Sequence, residues 1–213
     1  MTPADAERIC AMDGIVITEK PAWITYDDIH ELLYAAHASN REKAGFHVLT
    51  SDMTGEQLEK RIGPDGKTYV ALDGELLVGT ASYRIIDRRF WCIEASFAER
   101  TLIAVHPDYQ GRHICSLLLE PILNDIRAAG CKYLLTETAE ANIAIRKLCT
   151  KEGCRHIDFK APHSDHYNVE IVQWLNGCRY PNWYTDLGFY YRMLKVKLKY
   201  RPGGIKRFGG TGK

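Results

Sequence analysis

The strongest constraint in the chain is a dipeptide. In "TYVALDGELLVGTASYRII", Thr68 to Ile86, two β-rich runs meet at Asp73-Gly74. That pair suits a two-residue type I′ hairpin turn, whose central residues both need positive φ. The hairpin makes at least part of the sheet antiparallel, although strands and helices alternate through most of the chain.

Around the hairpin the hydrophobic period assigns the other elements. Thr2-Pro3 opens a short N-terminal helix, and "GIVITEK" reads as a strand. "DDIHELLYAAHASN", Asp27 to Asn40, places Ile29, Leu32, Leu33, Ala36 and His37 on one helical face. Thr54 with Gln57 forms a capping-box start for a second helix. Glu94 to Val105 reads as a strand, followed by a helix with Ile114, Leu117, Leu118, Pro121, Ile122 and Ile126 on one face. Pro121 removes the bond to Leu117, and Gly130 supplies a left-handed stop. "CKYLLTET" is a strand. Ala141 to Glu152 is a helix with Ala141, Ala144, Ile145, Leu148 and Cys149 inward. "RHIDFKA" and "YNVEIVQWL" are the last two strands, separated by "PHSDH".

Composition limits the classes available. A chain of 213 residues, 46% hydrophobic and 26% charged, fills one core but not two independent ones. No run approaches the about 18 apolar residues of a membrane span, and "MTPADAERICAMDG" lacks the basic-then-apolar order of a secretory signal. An intracellular, cytoplasmic protein is expected. Seven scattered cysteines without a C-x-x-C argue against a disulfide framework or a thiolate zinc site.

Charge divides the chain in two. From Gly177 onward nine Lys or Arg stand against one acid, Asp186, while the whole chain carries only +1. The expected organisation is an acidic body, residues 1–176, and a basic, aromatic C-terminal extension, residues 177–213. "LKVKLKYR" reads either as a strand or as an amphipathic helix lying on an anionic membrane or nucleic acid. An extra element packed on the sheet or on a second subunit is the favoured reading, and specific nucleic-acid binding is not expected.

The chemistry concentrates in "VHPDYQGRHICSLLLE", Val105 to Glu120. A strand, a short turn and a helix can aim several unpaired N–H groups, together with the helix dipole, at an anion. Val105, Pro107, Tyr109 and Gln110 with the Leu-rich helix resemble the pyrophosphate motif of the GNAT superfamily of N-acetyltransferases. That motif is Q/R-x-x-G-x-G/A after a strand ending V-x-P-x-Y. His113 and Cys115 stand where its two glycines usually do. A second block resembles N-x-x-A-I-x-L-Y-x-K-x-G-F through Asn142, Leu148, Lys151 and Gly153. Cys149 holds its Tyr position and Cys154 its Phe position.

The resemblance, covering roughly residues 14–175, implies a mixed, mostly antiparallel sheet of six to seven strands flanked by helices. It implies acetyl-CoA as co-substrate, with pantetheine paired to the backbone of Ile103, Ala104 and Val105. Its pyrophosphate would rest on the amides of Gln110, Gly111, Arg112, His113, Ile114 and Cys115, with Asn142 on the cofactor arm and no metal. Ordinary helical φ at His113 and Cys115 would keep those amides usable. The implied reaction is direct attack of a primary amine, on a small molecule or a protein, in a ternary complex, by a monomer or homodimer.

Roles follow by the same resemblance. Glu99, six residues before Val105, is the candidate base; even spacing on a regular strand would put both on one side. A solvated strand-edge carboxylate is the equal alternative, and Glu94 is a weaker rival. The N–H of Val105 is the oxyanion donor. Cys149 is either the acid for the CoA thiolate or, preferably, a buried structural thiol, with Tyr133, Tyr167 or water in its place. "PHSDH", with His163, Asp165 and His166, and the loop with His37, Asn40 and Arg41 are expected walls of the acceptor site. The rival from another class is a CoA-binding scaffold that has lost catalysis, motivated by His113, Cys115 and Cys149. "GGTGK" at the C-terminus mimics part of a P-loop without its first Gly, and is read as a chain end.

Overall fold

The computed structural model of the protein describes residues 10–12, 14–38, 42, 48–90, 93–160, 167–177 and 182–200. The helix expected at Thr2-Pro3, the "PHSDH" turn, Asn40, Arg41 and "GGTGK" lie outside these residues.

Among the described residues, eight strands form one sheet: β1 (Cys10–Met12), β2 (Ile15–Glu19), β3 (Lys67–Asp73), β4 (Leu76–Phe90), β5 (Ile93–Val105), β6 (Tyr133–Ala139), β7 (Arg155–Lys160) and β8 (Asn168–Trp174). Their spatial order is β1-β2-β3-β4-β5-β6-β8-β7. Every pairing is antiparallel except β5 with β6. The expected six to seven strands are thus extended by the three-residue β1, too short to carry a period of its own.

The β3–β4 hairpin forms, with its turn one residue later than expected. Asp73 pairs with Leu76, so Gly74 and Glu75 are the central residues. Gly74 has φ +60° whereas Glu75 is not among the residues with positive φ. Gly at the first central position alone is the demand of a type II′ turn, not type I′.

Among the described residues, five α-helices cover the sheet. On one face lie α1 (Tyr26–Ala36) and α2 (Gly55–Ile62), which start at the capping boxes Thr25/Asp28 and Thr54/Gln57. They bury Ile29, Leu32, Leu33, Leu58 and Ile62 against Val70, Leu72, Leu102 and Ala104. On the other face, α3 (Ile114–Ala128) buries Ile114, Leu118, Leu119, Ile122 and Ile126 against Tyr69, Ala71, Ala81, Tyr83 and Ala98. Leu119 takes the inner place that the period assigns to Leu117, which is only partly buried. The helix runs on through Pro121 and stops at Gly130, φ +74°. There the N–H of Gly130 bonds the carbonyl of Arg127 and that of Cys131 bonds Ile126, a Schellman end.

A polar joint fixes α3 to the sheet: the Tyr69 and Tyr83 hydroxyls donate to Asp125 Oδ2 at 2.7 and 3.0 Å, with Lys67 Nζ at 3.2 Å. Between them, Gly79 lets α3 approach. A Cβ there would stand 3.0 Å from Leu118 Cδ1, 3.1 Å from Ile114 Cγ2 and 3.2 Å from Ala71 Cβ.

The helices α4 (Ile143–Lys151) and α5 (Asn182–Lys199) accompany β7 and β8. The expected inner stripe of α4 is only partly covered: Cys149 is buried, Ile145 and Leu148 partly so, and Ala141 and Ala144 are exposed. "LKVKLK" belongs to a helix rather than a strand. Phe189 of α5 is buried with Cys149, Phe159, Tyr167, Val169 and Ile171, so the extension includes an element packed on the sheet.

Gly79→Val should destabilise the fold by about 1–3 kcal/mol, because three close neighbours, two of them on α3, must shift. A urea unfolding curve with an unchanged slope and a lowered midpoint is the expected result.

Candidate functional site

The site is built where β5 parts from β6. Their parallel pairing lasts only three residues, Ala98 with Leu134, Glu99 with Leu135 and Arg100 with Thr136. Beyond it β5 continues to Val105 with no described strand on that side, which leaves its outward N–H and C=O groups facing a cleft.

A β-bulge coincides with this parting. Thr101 pairs with Ser82 and Ala104 with Thr80, so Leu102 and Ile103 together oppose Ala81. Leu102 takes φ +50° to achieve it. One extra residue reverses the alternation of side chains. Leu102 and Ala104 face α1 and α2, whereas Ile103 and Val105 pack on the α3 side. Glu99 reaches Arg61 of α2. The even spacing between Glu99 and Val105 therefore does not place them on one face, because the strand is not regular between them.

The loop after Val105 is a short seat. Pro107–Tyr109 forms one 3₁₀ turn, Gly111 has φ +82°, and α3 starts directly after His113. His113 has φ +61° and ψ +8°, a left-handed conformation. This corrects the expectation of ordinary helical φ: the residue in the glycine position keeps a glycine-like backbone. Cys115, inside α3, is helical. Among the described residues no backbone carbonyl accepts from the N–H groups of Gly111, Arg112, His113, Ile114 or Cys115. They form a concave row of donors at the positive end of α3, a backbone nest for an anion. The exposed Gln110 folds back on the strand end, Nε2 donating to the Val105 carbonyl at 3.2 Å. The Tyr109 hydroxyl donates to Asp73 at 2.8 Å, and the Arg112 guanidinium lies 4.9 Å from the Tyr109 ring.

Sequence reasoning passed over Arg100. Its side chain is fully buried; it donates to Thr136 Oγ1 at 2.9 Å, Glu152 at 2.8 Å and Cys149 Sγ at 2.9 Å. One guanidinium thus joins β5, β6 and α4. Its only signal was a charged residue inside an apolar strand, which period alone cannot distinguish from a solvated one. Cys149 is buried and beside Cys154. A hydrogen bond from Cys154, and then the Arg100 charge, hold its thiol below the ordinary value against the contrary effect of burial. Cys149, Glu152 and Cys154 bring their donor atoms within 4.8 Å of one another. Arg100 already neutralises this group, which is the chemistry of an ion pair rather than of a cation site.

The other expected participants are committed to the fold. Asn142 is buried and caps α4, its Oδ1 accepting from the Ile145 N–H at 3.4 Å. Tyr133 is fully buried between Phe97, stacked at 4.9 Å, and Trp174. The Tyr167 hydroxyl donates to the Tyr200 carbonyl at 2.8 Å. His37 is buried at the end of α1.

Glu99 is held on both oxygens. Arg61 donates to Oε1 at 2.7 Å, and Arg84 donates to Oε2 through Nε at 2.9 Å and Nη2 at 2.5 Å. Of about four acceptor sites on a carboxylate, three are taken, and the remaining one is on Oε1. On the α1 face a groove of about 490 Å³ runs between α1 and the start of β4, bordered by Trp23, Asp28, Glu31, Glu75, Leu76 and His106.

His113→Gly should raise stability by about 1 kcal/mol, since the left-handed conformation costs a side-chain-bearing residue roughly that much. The check is a shifted urea midpoint together with unweakened binding of CoA by calorimetry.

Comparison with known proteins agrees with this geometry. The family model described as acetyltransferase (GNAT) family matches residues 26–153. Among solved structures, the ribosomal-protein-S18-alanine N-acetyltransferase from Escherichia coli shares the fold with TM-score 0.61 at 15% identity, over 78% of this chain and 96% of that one. An acetyltransferase from Streptococcus agalactiae gives 0.58 at 19% identity, over 77% and 100%. A GNAT family acetyltransferase from Elizabethkingia anophelis, solved with acetyl-CoA bound, gives 0.55 at 18% identity, over 77% and 100%. No curated protein sequence matches the chain significantly. With the matched segment spanning the cleft, the seat and α4, the chain belongs to the acetyltransferase (GNAT) family and is an acyltransferase.

Proposed function

We propose that the protein transfers an acetyl group from acetyl-CoA to a primary amine by direct attack within a ternary complex. The observation that carries this reading is the continuity of two features: the open edge of β5 beyond Arg100 and the nest of N–H groups from Gly111 to Cys115 at its end. A long ligand with an amide-bearing arm and an anionic end fits both at once. The arm pairs with the backbone of Ile103, Ala104 and Val105, and the pyrophosphate takes the amides of the seat between Gln110 and Cys115. The Elizabethkingia neighbour, with acetyl-CoA bound on the same fold, supports the assignment. Asn142 acts as the cap of α4 that keeps the far wall of the cleft in place.

In the reaction the amine nitrogen forms a bond to the thioester carbon, the C–S bond breaks, and CoA leaves as a thiolate. The Val105 N–H is the donor to the developing oxyanion. Glu99 takes the ammonium proton through the open site on Oε1, while Arg61 and Arg84 hold the carboxylate in one orientation. The departing thiolate takes, by way of water, the second proton that the adduct nitrogen loses as it becomes the amide. Cys149 is an unsuitable acid because its sulfur is buried and faces the Arg100 guanidinium. For the acceptor, the net negative charge of residues 1–176 favours the encounter of a cationic amine.

Two substitutions test these roles by CoA release over a panel of amines. Glu99→Gln should lower kcat by about 100-fold or more while CoA affinity stays within about twofold; wild-type turnover in this variant would transfer the proton to water. Cys149→Ala should keep kcat within about threefold, since the thiol lies outside the proton path and Arg100 keeps Thr136 and Glu152 as partners. A scaffold without catalysis would bind CoA and release none with every amine tried.

A further inference from the structure

The helix α5 presents two apolar faces, and the sheet needs only one. Inward, Phe189 is buried, with Met193 and Val196 packed beside it. The inward-leaning cations are matched within the protein, Arg192 to Asp158 at 2.8 Å and Lys197 to Glu140 at 2.6 Å. Outward, Leu187, Tyr190, Tyr191, Leu194 and Leu198 are 65, 60, 66, 59 and 56% exposed. Their spacing of three and four residues gathers them into one stripe along three turns. Monomeric proteins rarely leave a contiguous apolar strip of this kind uncovered.

The charge around the stripe names what covers it. Lys195 and Lys199 flank it, both exposed. The extension has a single acid, Asp186, which acts on His156 on the inward side. Beyond the helix the sequence adds Arg201, Lys206, Arg207 and Lys213 with no acid. No described helix is long and apolar enough to cross a membrane. An apolar stripe with tyrosines, bordered by lysines and free of carboxylates, is the pattern of a helix lying in the headgroup region of an anionic bilayer. We propose that α5 docks the protein onto an anionic membrane surface, with Leu187, Tyr191, Leu194 and Leu198 inserted and Lys195 and Lys199 among the lipid phosphates. A second copy of the chain fits the stripe less well, because two such helices side by side would bring their lysines together without an acid to match them. The inference is independent of the acetyl-transfer chemistry.

Full-length protein is sedimented with phosphatidylcholine vesicles, with and without phosphatidylglycerol. The expected result is roughly ten-fold or stronger binding when the anionic lipid is present, with a decline as salt is raised. Leu194→Glu, on the exposed stripe, should abolish binding while its thermal unfolding and CoA affinity stay as in the wild type. Lys195→Glu with Lys199→Glu should remove the preference for the anionic vesicles. Equal sedimentation with both vesicle types overturns the proposal, as does undiminished binding of Leu194→Glu. A concentration-dependent dimer that Leu194→Glu dissociates, in a protein that binds neither vesicle, would overturn it in favour of a second copy.

Discussion

The buried guanidinium of Arg100 is the point on which the parting of β5 from β6 depends. Parallel pairing between β5 and β6 lasts three residues, too little to hold two strands at a fixed distance by backbone bonds alone. Arg100 closes the end of that seam by bonding Thr136 on β6 and then Glu152 and Cys149 on α4. A charge with no exposure is tolerated only because each side of it finds a partner. The seam is pinned at Arg100 and released just after it, where Leu102 bulges and β5 diverges. A cleft that must open at one place and stay shut at the next needs a fastener at the boundary, and a buried charge with three partners on two other elements is a stiff one.

The same boundary explains what could be read from the sequence and what could not. Capping at Thr54, the stop at Gly130, the inner face of α1 and, Leu117 apart, that of α3 rest on local chemistry with a definite period, and they stand in the structure. The bulge has no comparable signal. Thr101, Leu102 and Ile103 look like any strand residues, yet the extra residue among them inverts every inference that counts by twos across it. That is why Glu99 and Val105 appear on one face in the sequence and on opposite faces in the molecule. The hairpin turn failed more mildly: Asp73-Gly74 signalled a turn, but pairing of Asp73 with Leu76 decided which residues sit at its centre.

The loop between Val105 and α3 shows a different limit. Glycine is used in such loops for its access to positive φ, so its replacement by His113 suggested that the conformation had changed. Instead the conformation stayed and the side chain was accepted within it, at a local cost that the flanking structure bears. The motif was therefore more legible through its strand and helix than through its glycines. Cys149 teaches the complementary point: its place in the α4 block was readable, but the neighbours that bury it come from β5, β7, β8 and α5 and are remote in sequence.

One small bond gives the seat an unusual mounting. The Tyr109 hydroxyl holds Asp73, the last residue before the hairpin turn. A loop fastened only where it joins α3 would behave as a cantilever and swing with its own thermal motion. Fastened also to the hairpin, it is a span resting on two piers, and one pier stands on β3, two strands away from the cleft. Any force on the loop therefore loads the hairpin too, and the rigidity of a turn far back in the chain becomes part of the accuracy with which the N–H groups from Gly111 to Cys115 are held.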